Sequence, residues 1–365
     1  MKRSRVAIIG AGIFGVSCAL ELSAFCDVTL FDQNDAVLMG GTYRNQYRHH
    51  YGYHYPRSPE TVIQCQNAEQ DFKKVWGKSI RYFPAYYGIA HESKVTANDF
   101  RHFCETYHLP YEIEYPAVSF LNSASVIACF KTPEPVYDFS ILKKIAEAEI
   151  KNSPHIKLSL GQKVIEGGVS SSGTKIFTVK LSSGDTLEEN FDFAVNATYA
   201  NYNMFCEWFD FEHPVIEFRL KELVVVKLPT VQQLAITVVD GPFVTIVPLS
   251  EPGYFTLGDV SRSIHDTCLS SGGIPWSSEE IDLSKSHFYE MKKFNPYFIP
   301  LISQAEYVKS IFTVLPIRPN VNETDERLTS ITNHGLGCWS VFEGKIVTSV
   351  STAKMVAKTL AEQMR

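Results

Sequence analysis

The 365-residue chain has no long uninterrupted apolar run, no excess of positive charge and no closely paired cysteines. Each absence removes a class of function. The apolar stretch at 6–20 is broken by three glycines and ended by Glu21, which is too short for a bilayer span of about 20 residues. Its basic front at 2–5 imitates a signal peptide, but strand, turn and helix account better for the glycine spacing. A cytoplasmic chain without targeting or membrane-spanning segments is therefore expected. A net charge of −6 and a pI near 6.0 supply no basic field, so nucleic acid is not an expected partner. The eight cysteines (18, 26, 65, 104, 129, 206, 268 and 338) form no C-x-x-C and read as reduced thiols. No G-x-x-x-x-G-K-[ST], G-x-S-x-G or H-E-x-x-H occurs, and Asp and His show no metal-ligand spacing, so no metal is expected. Repeats and low-complexity linkers are also lacking. The sequence carries no signal for oligomeric state.

What is present begins at the amino terminus. Residues 5–9 are rich in β-branched types and predict a strand. Gly10-Ala11-Gly12-Ile13-Phe14-Gly15 follows, then a helical pattern over 13–25 and a second strand over 27–31 that ends at Asp32 and Gln33. This is G-x-G-x-x-G in a β-α-β frame. The first glycine allows a tight turn, the second lets a pyrophosphate reach the backbone, and the third lets helix and strand pack. Exposed N–H groups at the helix start favour an anion. Asp32 is placed to accept ribose hydroxyls and disfavours a 2′-phosphate, which argues against NADP. The motif alone leaves FAD and NAD open.

Further along, Ser58-Pro59-Glu60 opens a predicted helix to Trp76, and Asp138 caps another over 139–152. Strands are expected at 156–160, 175–181 and 191–197. A strand-rich block at 217–228, 234–239, 243–249 and 254–258 suits an antiparallel sheet with one covered face. Helices at 284–294 and 350–364 complete the pattern. The expected fold class is α/β, with a Rossmann-like dinucleotide domain (1–80, 136–212 and 311–365) interleaved with an α+β, antiparallel-sheet substrate domain (81–135 and 213–310).

Four stretches together resemble the D-amino-acid oxidase superfamily of FAD-dependent oxidoreductases, the glycine oxidase and sarcosine oxidase types among them. The first is the glycine loop. The second is Gly40-Gly41-Thr42-Tyr43-Arg44-Asn45-Gln46, similar to the family's loop under the flavin pyrophosphate; it continues through Arg48, His49, His50, Tyr53 and His54. The third is Asn196-Ala197-Thr198-Tyr199, similar to a family turn that ends in glycine. The fourth joins Arg318-Pro319 to Gly335-Leu336-Gly337 and Glu343-Gly344-Lys345-Ile346, where Glu343-Gly344 replaces the usual His-Gly pair. The resemblance implies FAD as cofactor. It implies contacts from Gly41, Thr42, Asn45, Gln46, Ala197, Thr198, Gly337, Gly344, Lys345 and Ile346, with Val164 near the adenosine.

It also implies oxidation of a C–N or C–O bond of a small polar substrate by hydride transfer to the flavin. His50 is the leading candidate for a base or flavin-proximal group, with His49 and His54 as alternatives. Arg318 suits a carboxylate clamp, since guanidinium offers a two-pronged fork to a planar anion. Arg48 and Tyr53 are candidates for the same pocket. An NAD-dependent dehydrogenase, or a flavin-binding protein without turnover, is the alternative reading.

Overall fold

The structure, a computed structural model, describes residues 3–276, 284–321 and 323–364. Its first layer is a six-stranded sheet built around Ser4–Ile9. Cys26–Phe31 and Phe193–Asn196 flank that strand in parallel, with Ile156–Ser159 and Cys338–Phe342 outside them, also parallel. Ser330–Gly335 closes one edge antiparallel. Alternation decides what each face of the central strand meets. Val6 and Ile8 pack under the helices Ile13–Leu22, Pro59–Trp76, Phe139–Asn152 and Ser349–Gln363. Ala7 and Ile9 point the other way, into Phe31, Phe177, Phe191 and Phe205. A three-stranded antiparallel meander, Lys163–Val169, Lys175–Lys180 and Thr186–Phe191, covers that second face.

The second layer is a nine-stranded sheet. Its spine is Ile216–Lys227, which pairs with Glu306–Ile317 on one edge and with Tyr254–Asp259 and Ile264–Ser270 on the other. Val244–Pro248, Ala235–Val239, Ala85–Ala90, Val126–Thr132 and Glu112–Ile113 continue it. Two features differ from the sequence expectation. Ala235–Val239 and Val244–Pro248 are buried at every residue, so this part of the sheet is covered on both faces. Ile236 and Ile246 enter a hydrophobic core while Thr237 and Thr245 face a cavity between the layers. In addition, Glu306–Ile317 stays in this sheet over its whole length, so the chain returns to the parallel layer after Ile317 and not at 311. The Pro59–Trp76 and Phe139–Asn152 helices begin as expected, and Asp138 accepts from the Ile141 N–H at 3.1 Å. The helix expected at 284–294 starts at Phe288.

Among the described residues no helix is long and apolar enough to cross a membrane. Trp339 is completely buried between the parallel sheet and its helices. Trp339→Ala should lower unfolding free energy by about 3–5 kcal/mol, read as a shift of the urea midpoint at unchanged slope.

Candidate active site

A cavity of about 560 Å³ lies where the carboxyl ends of the parallel strands face the large sheet. Its walls come from places far apart in the chain. Ile13 and Phe14 stand at the first helix start, and the 41–48 loop runs beside them. Arg219, Lys221 and Leu223 present one face of Ile216–Lys227. Arg318 follows the long edge strand, and 342–346 leads into the last helix.

The glycine loop separates two uses of glycine. Gly10 has φ +103°, and a Cβ there would lie 2.2 Å from the Ala197 carbonyl oxygen. A Cβ on Gly15 would lie 1.8 Å from the Gly10 oxygen. Both are needed by the fold itself. Gly12 is different: a Cβ there meets only the Thr42 hydroxyl, at 3.6 Å. Inside the protein nothing forbids a side chain at that point, so the space is left for something that approaches the backbone. As N-cap, Gly12 offers no capping side chain, and the first helical turn carries no acid. Apart from the Ile13 N–H, which donates to Thr42, the orphan N–H groups therefore remain for an external anion. Asp32 Oδ2 accepts from the Ala11 N–H at 2.7 Å and its Oδ1 from Asn34, which fixes the carboxylate at the strand end. Gln33 beside it is exposed, and Val164 is buried in the adjoining meander.

Thr42 accepts from the Ile13 N–H at 3.0 Å and ties the second loop to the helix start. Asn45 donates to the Gly41 and Thr42 carbonyls and accepts from the Tyr47 N–H and the Tyr137 hydroxyl. All four of its hydrogen-bonding valences are used within the protein, so its side chain is a loop staple instead of the expected cofactor contact. Thr198 bonds to Asn196, and Ala197 hydrogen-bonds to Ile9 beside the glycine loop.

Three other expectations change. Gly337 sits at the opposite end of the sheet: parallel register pairs Cys338 with Ala194, so Gly337 lies by Phe193 and Lys175, while Phe342 and Glu343 reach the cavity. The direction of the strand, which the motif does not state, decides this. Tyr53 is wholly buried outside the cavity, stacked on Tyr87 at 5.6 Å and donating to the Pro110 carbonyl. Arg48 lines the cavity, but its guanidinium is held by the Tyr87, Thr237 and Thr245 hydroxyls with Glu134 at 3.8 Å. It pins the 41–48 loop to the large sheet.

His50 and His54 do line the cavity, their rings 5.8 Å apart. Burial lowers His50 to about 4, partly opposed by Glu134, so it is neutral at physiological pH and a weak base. His49 is fully buried against Glu69, 2.5 Å away, and is structural. Arg318 donates to Ser330 at 2.7 Å, stands over Phe342, and remains exposed along the cavity wall.

Three groups titrate near neutrality: Lys221, which the sequence does not single out, Lys345, expected there only as a cofactor contact, and Glu343, noted there only as standing where histidine is usual. Burial lowers Lys345 to about 7 and Lys221 to about 8, and raises Glu343 to about 8. Nearby guanidinium groups add to the lysine shifts: Arg48 for Lys345, and Arg327, Arg219 and Arg48 for Lys221. The alternation of Arg219 and Lys221 in an apolar strand was the available signal. Tyr199, where the resembling turn has glycine, adopts φ +56° and packs its ring against Gly41.

Residues 5–125 match the family model described as FAD dependent oxidoreductase. The match covers the glycine loop, the 40–57 segment and the first strands of the large sheet, about a third of the chain. It is 28% identical over 261 residues to the FAD-dependent monooxygenase FPY4 of Fusarium mangiferae, covering 71% of this chain and 64% of that relative, less than two thirds of its length. The whole chain shares its fold with glycine oxidase from Geobacillus kaustophilus (TM-score 0.74, 16% identity, 99% of this chain and 95% of that one). It likewise superposes on L-α-glycerophosphate oxidase from Mycoplasma pneumoniae with FAD bound (TM-score 0.74, 14% identity, 99% and 95%).

The matching family model is FAD-dependent, and the residues present fit that cofactor. Beyond the open Gly12 cradle, the cavity wall holds four buried polar atoms without a hydrogen-bond partner among the described residues, Gln46 Nε2, Arg48 Nε, His54 Nδ1 and Glu343 Oε1, and His50 Nδ1 has only Glu134 at 3.7 Å. A polar heteroaromatic ring gives such atoms partners, which a dry apolar ligand would not. Gly344 belongs with them through its backbone. A Cβ there would lie 2.3 Å from the Arg327 carbonyl oxygen, so only glycine lets 343–346 lie along this wall.

Gly12→Val should fold with a melting temperature near wild type yet purify with at least tenfold less flavin per chain. Gly15→Val should instead lose the fold, as measured by circular dichroism. A Gly12→Val protein with full flavin content would mean the loop does not hold the pyrophosphate.

Proposed function

We propose that this oxidoreductase oxidises the C–N or C–O bond of a small anionic substrate, an amino acid or a 2-hydroxy acid. The observation that carries the reading is charge. Cationic side chains outnumber acids along the cavity wall by nine to five. Asp240 pairs with Arg57, and Asp325 with Arg327 at 2.7 Å. Lys221 and Lys345 have no ion-pair or hydrogen-bond partner for their ammonium groups among the described residues. Lys345 rests over the Tyr55 ring at 4.4 Å instead. Lys221 feels only Asp325, which is itself paired with Arg327, so two half-buried ammonium groups without a direct counter-ion favour an anion from solution.

FAD, when bound, supplies the acceptor for a hydride leaving the substrate carbon. The protein's part is to orient that carbon and remove a proton. Arg318 offers a free guanidinium edge to a carboxylate, and Lys221 a point charge from the sheet. Lys345 Nζ, titrating near 7, takes a proton from a substrate ammonium or hydroxyl more readily than His50, whose conjugate acid is strong. Glu343, kept neutral by burial, can donate a hydrogen bond without adding negative charge.

Anaerobic mixing with a panel of amino acids, 2-hydroxy acids and neutral amines tests the reading. Only carboxylated compounds should bleach the flavin; bleaching confined to neutral amines would sink it. Arg318→Ala should raise KM for such substrates about tenfold with kcat less affected. The pH dependence has a definite sign. Burial depresses both lysine pKa values, so the ammonium forms persist below about 7 and 8 and are lost as pH rises through that window. Affinity for a non-reactive carboxylate should therefore weaken from pH 6 to pH 9. A flat profile would remove both lysines from the anion site.

A further inference from the structure

On the far side of the strand Ile216–Lys227 from the flavin cavity, three metal-ligating side chains converge from separate elements. Glu222 is on that strand, His265 on Ile264–Ser270, and His287 is N-cap to Phe288–Phe294. One ligating atom of each lies within 4.8 Å of the others. The expectation of no metal group rested on chain spacing, and these residues are brought together only by the fold.

We propose that Glu222, His265 and His287 bind one divalent transition-metal ion, of the zinc type. The protonation pattern suits this. A carbonyl oxygen can only accept, so the 2.8 Å contact from His287 Nδ1 to the Arg262 carbonyl puts the proton on Nδ1 and leaves Nε2 with a lone pair. That is how metal-ligating histidines are commonly oriented. Glu222 is fully buried, and hydrogen bonds from Ser286, Ser310, the His287 N–H and His265 fix both of its carboxylate oxygens in place. His265 Nε2 lies 2.9 Å from Glu222 Oε2, and a cation binding between them displaces the proton they share to solvent. The two imidazoles are stacked, 3.8 Å apart and 12° from parallel, so entry of the ion requires them to splay until both lone pairs meet at one point. Two imidazoles and a carboxylate match zinc and its first-row neighbours and leave a fourth position to water. Such an ion would clasp two strands and a helix behind the strand that carries Lys221.

The test uses the purified, metal-stripped flavoprotein titrated with Zn²⁺ by calorimetry, with bound metal counted by mass spectrometry after desalting. One equivalent bound in the micromolar range or tighter is expected. It should be lost in His265→Gln and His287→Gln, and Ser310→Ala should weaken it by about ten- to a hundredfold. Glu222→Gln leaves a buried site altered, so circular dichroism and flavin absorbance check its folding, and the histidine variants carry the conclusion if it fails. Co²⁺ substitution should give visible bands of a four-coordinate ion in wild type only. Absence of stoichiometric Zn²⁺ in wild type, or binding unchanged in both histidine variants, would overturn the site.

Discussion

Lys221 and Lys345 hold two ammonium groups in a space that the protein itself fills with more positive than negative charge. The rest of the site is arranged around that imbalance. A cation removed from water without a partner either loses its proton or acquires an anion. Lys345 stands at the balance point, because its burial and the Arg48 guanidinium bring it near neutrality. The cavity therefore discriminates by charge before any shape complementarity acts. Arg48 is not part of the free charge, since Tyr87, Thr237, Thr245 and Glu134 surround its guanidinium. Its role is mechanical, and the same contacts that neutralise it keep the 41–48 loop against the sheet that carries Lys221.

Two layers are needed for this arrangement because neither supplies both halves. The parallel sheet ends in backbone: glycine turns, helix starts and a carboxylate at Asp32, all suited to phosphate and ribose. The large sheet supplies side chains: Arg219, Lys221, Thr237 and Thr245 project from its strands in alternation. Glu306–Ile317 binds the two parts of the chain by pairing with Ile216–Lys227 throughout its length, and it delivers Arg318 to the rim as it ends. The order of segments is thus set by which layer each wall of the cavity belongs to.

Local physics was legible in the sequence and convergence was not. The turn at Gly10–Gly15, the acid at Asp32, the proline-initiated helix at Pro59 and the cap at Asp138 are decided within a few residues, and the sequence places them correctly. Gly337 failed because a motif names residue types without stating which end of a strand they occupy. Asn45 and Tyr53 failed because the residues that satisfy them, Tyr137 and Pro110, are distant in the chain. Lys221 is not legible as a site residue because only the fold shows that the facing layer partly covers it. His50 was assigned ordinary basicity since only the fold reveals its desolvation.

Tyr199 shows how a departure from a familiar turn is absorbed. Left-handed backbone at a bulky residue is unfavourable by roughly 1 kcal/mol or more, which is why glycine suits such a turn. Here the φ of +56° is kept and the aromatic ring is turned onto Gly41, where the absence of a Cβ leaves room for it. The ring lines the same cavity as Glu343, and the two lie close enough for the carboxyl to influence the phenol. Burial keeps both groups in their neutral forms, so this wall offers hydroxyl donors without negative charge. An ionised Glu343 would add negative charge to the same wall and weaken its pull on an entering anion. Tyr199 and Glu343 are therefore physically consistent with one another: together they preserve the positive character of the cavity where the resembling motifs have glycine and histidine.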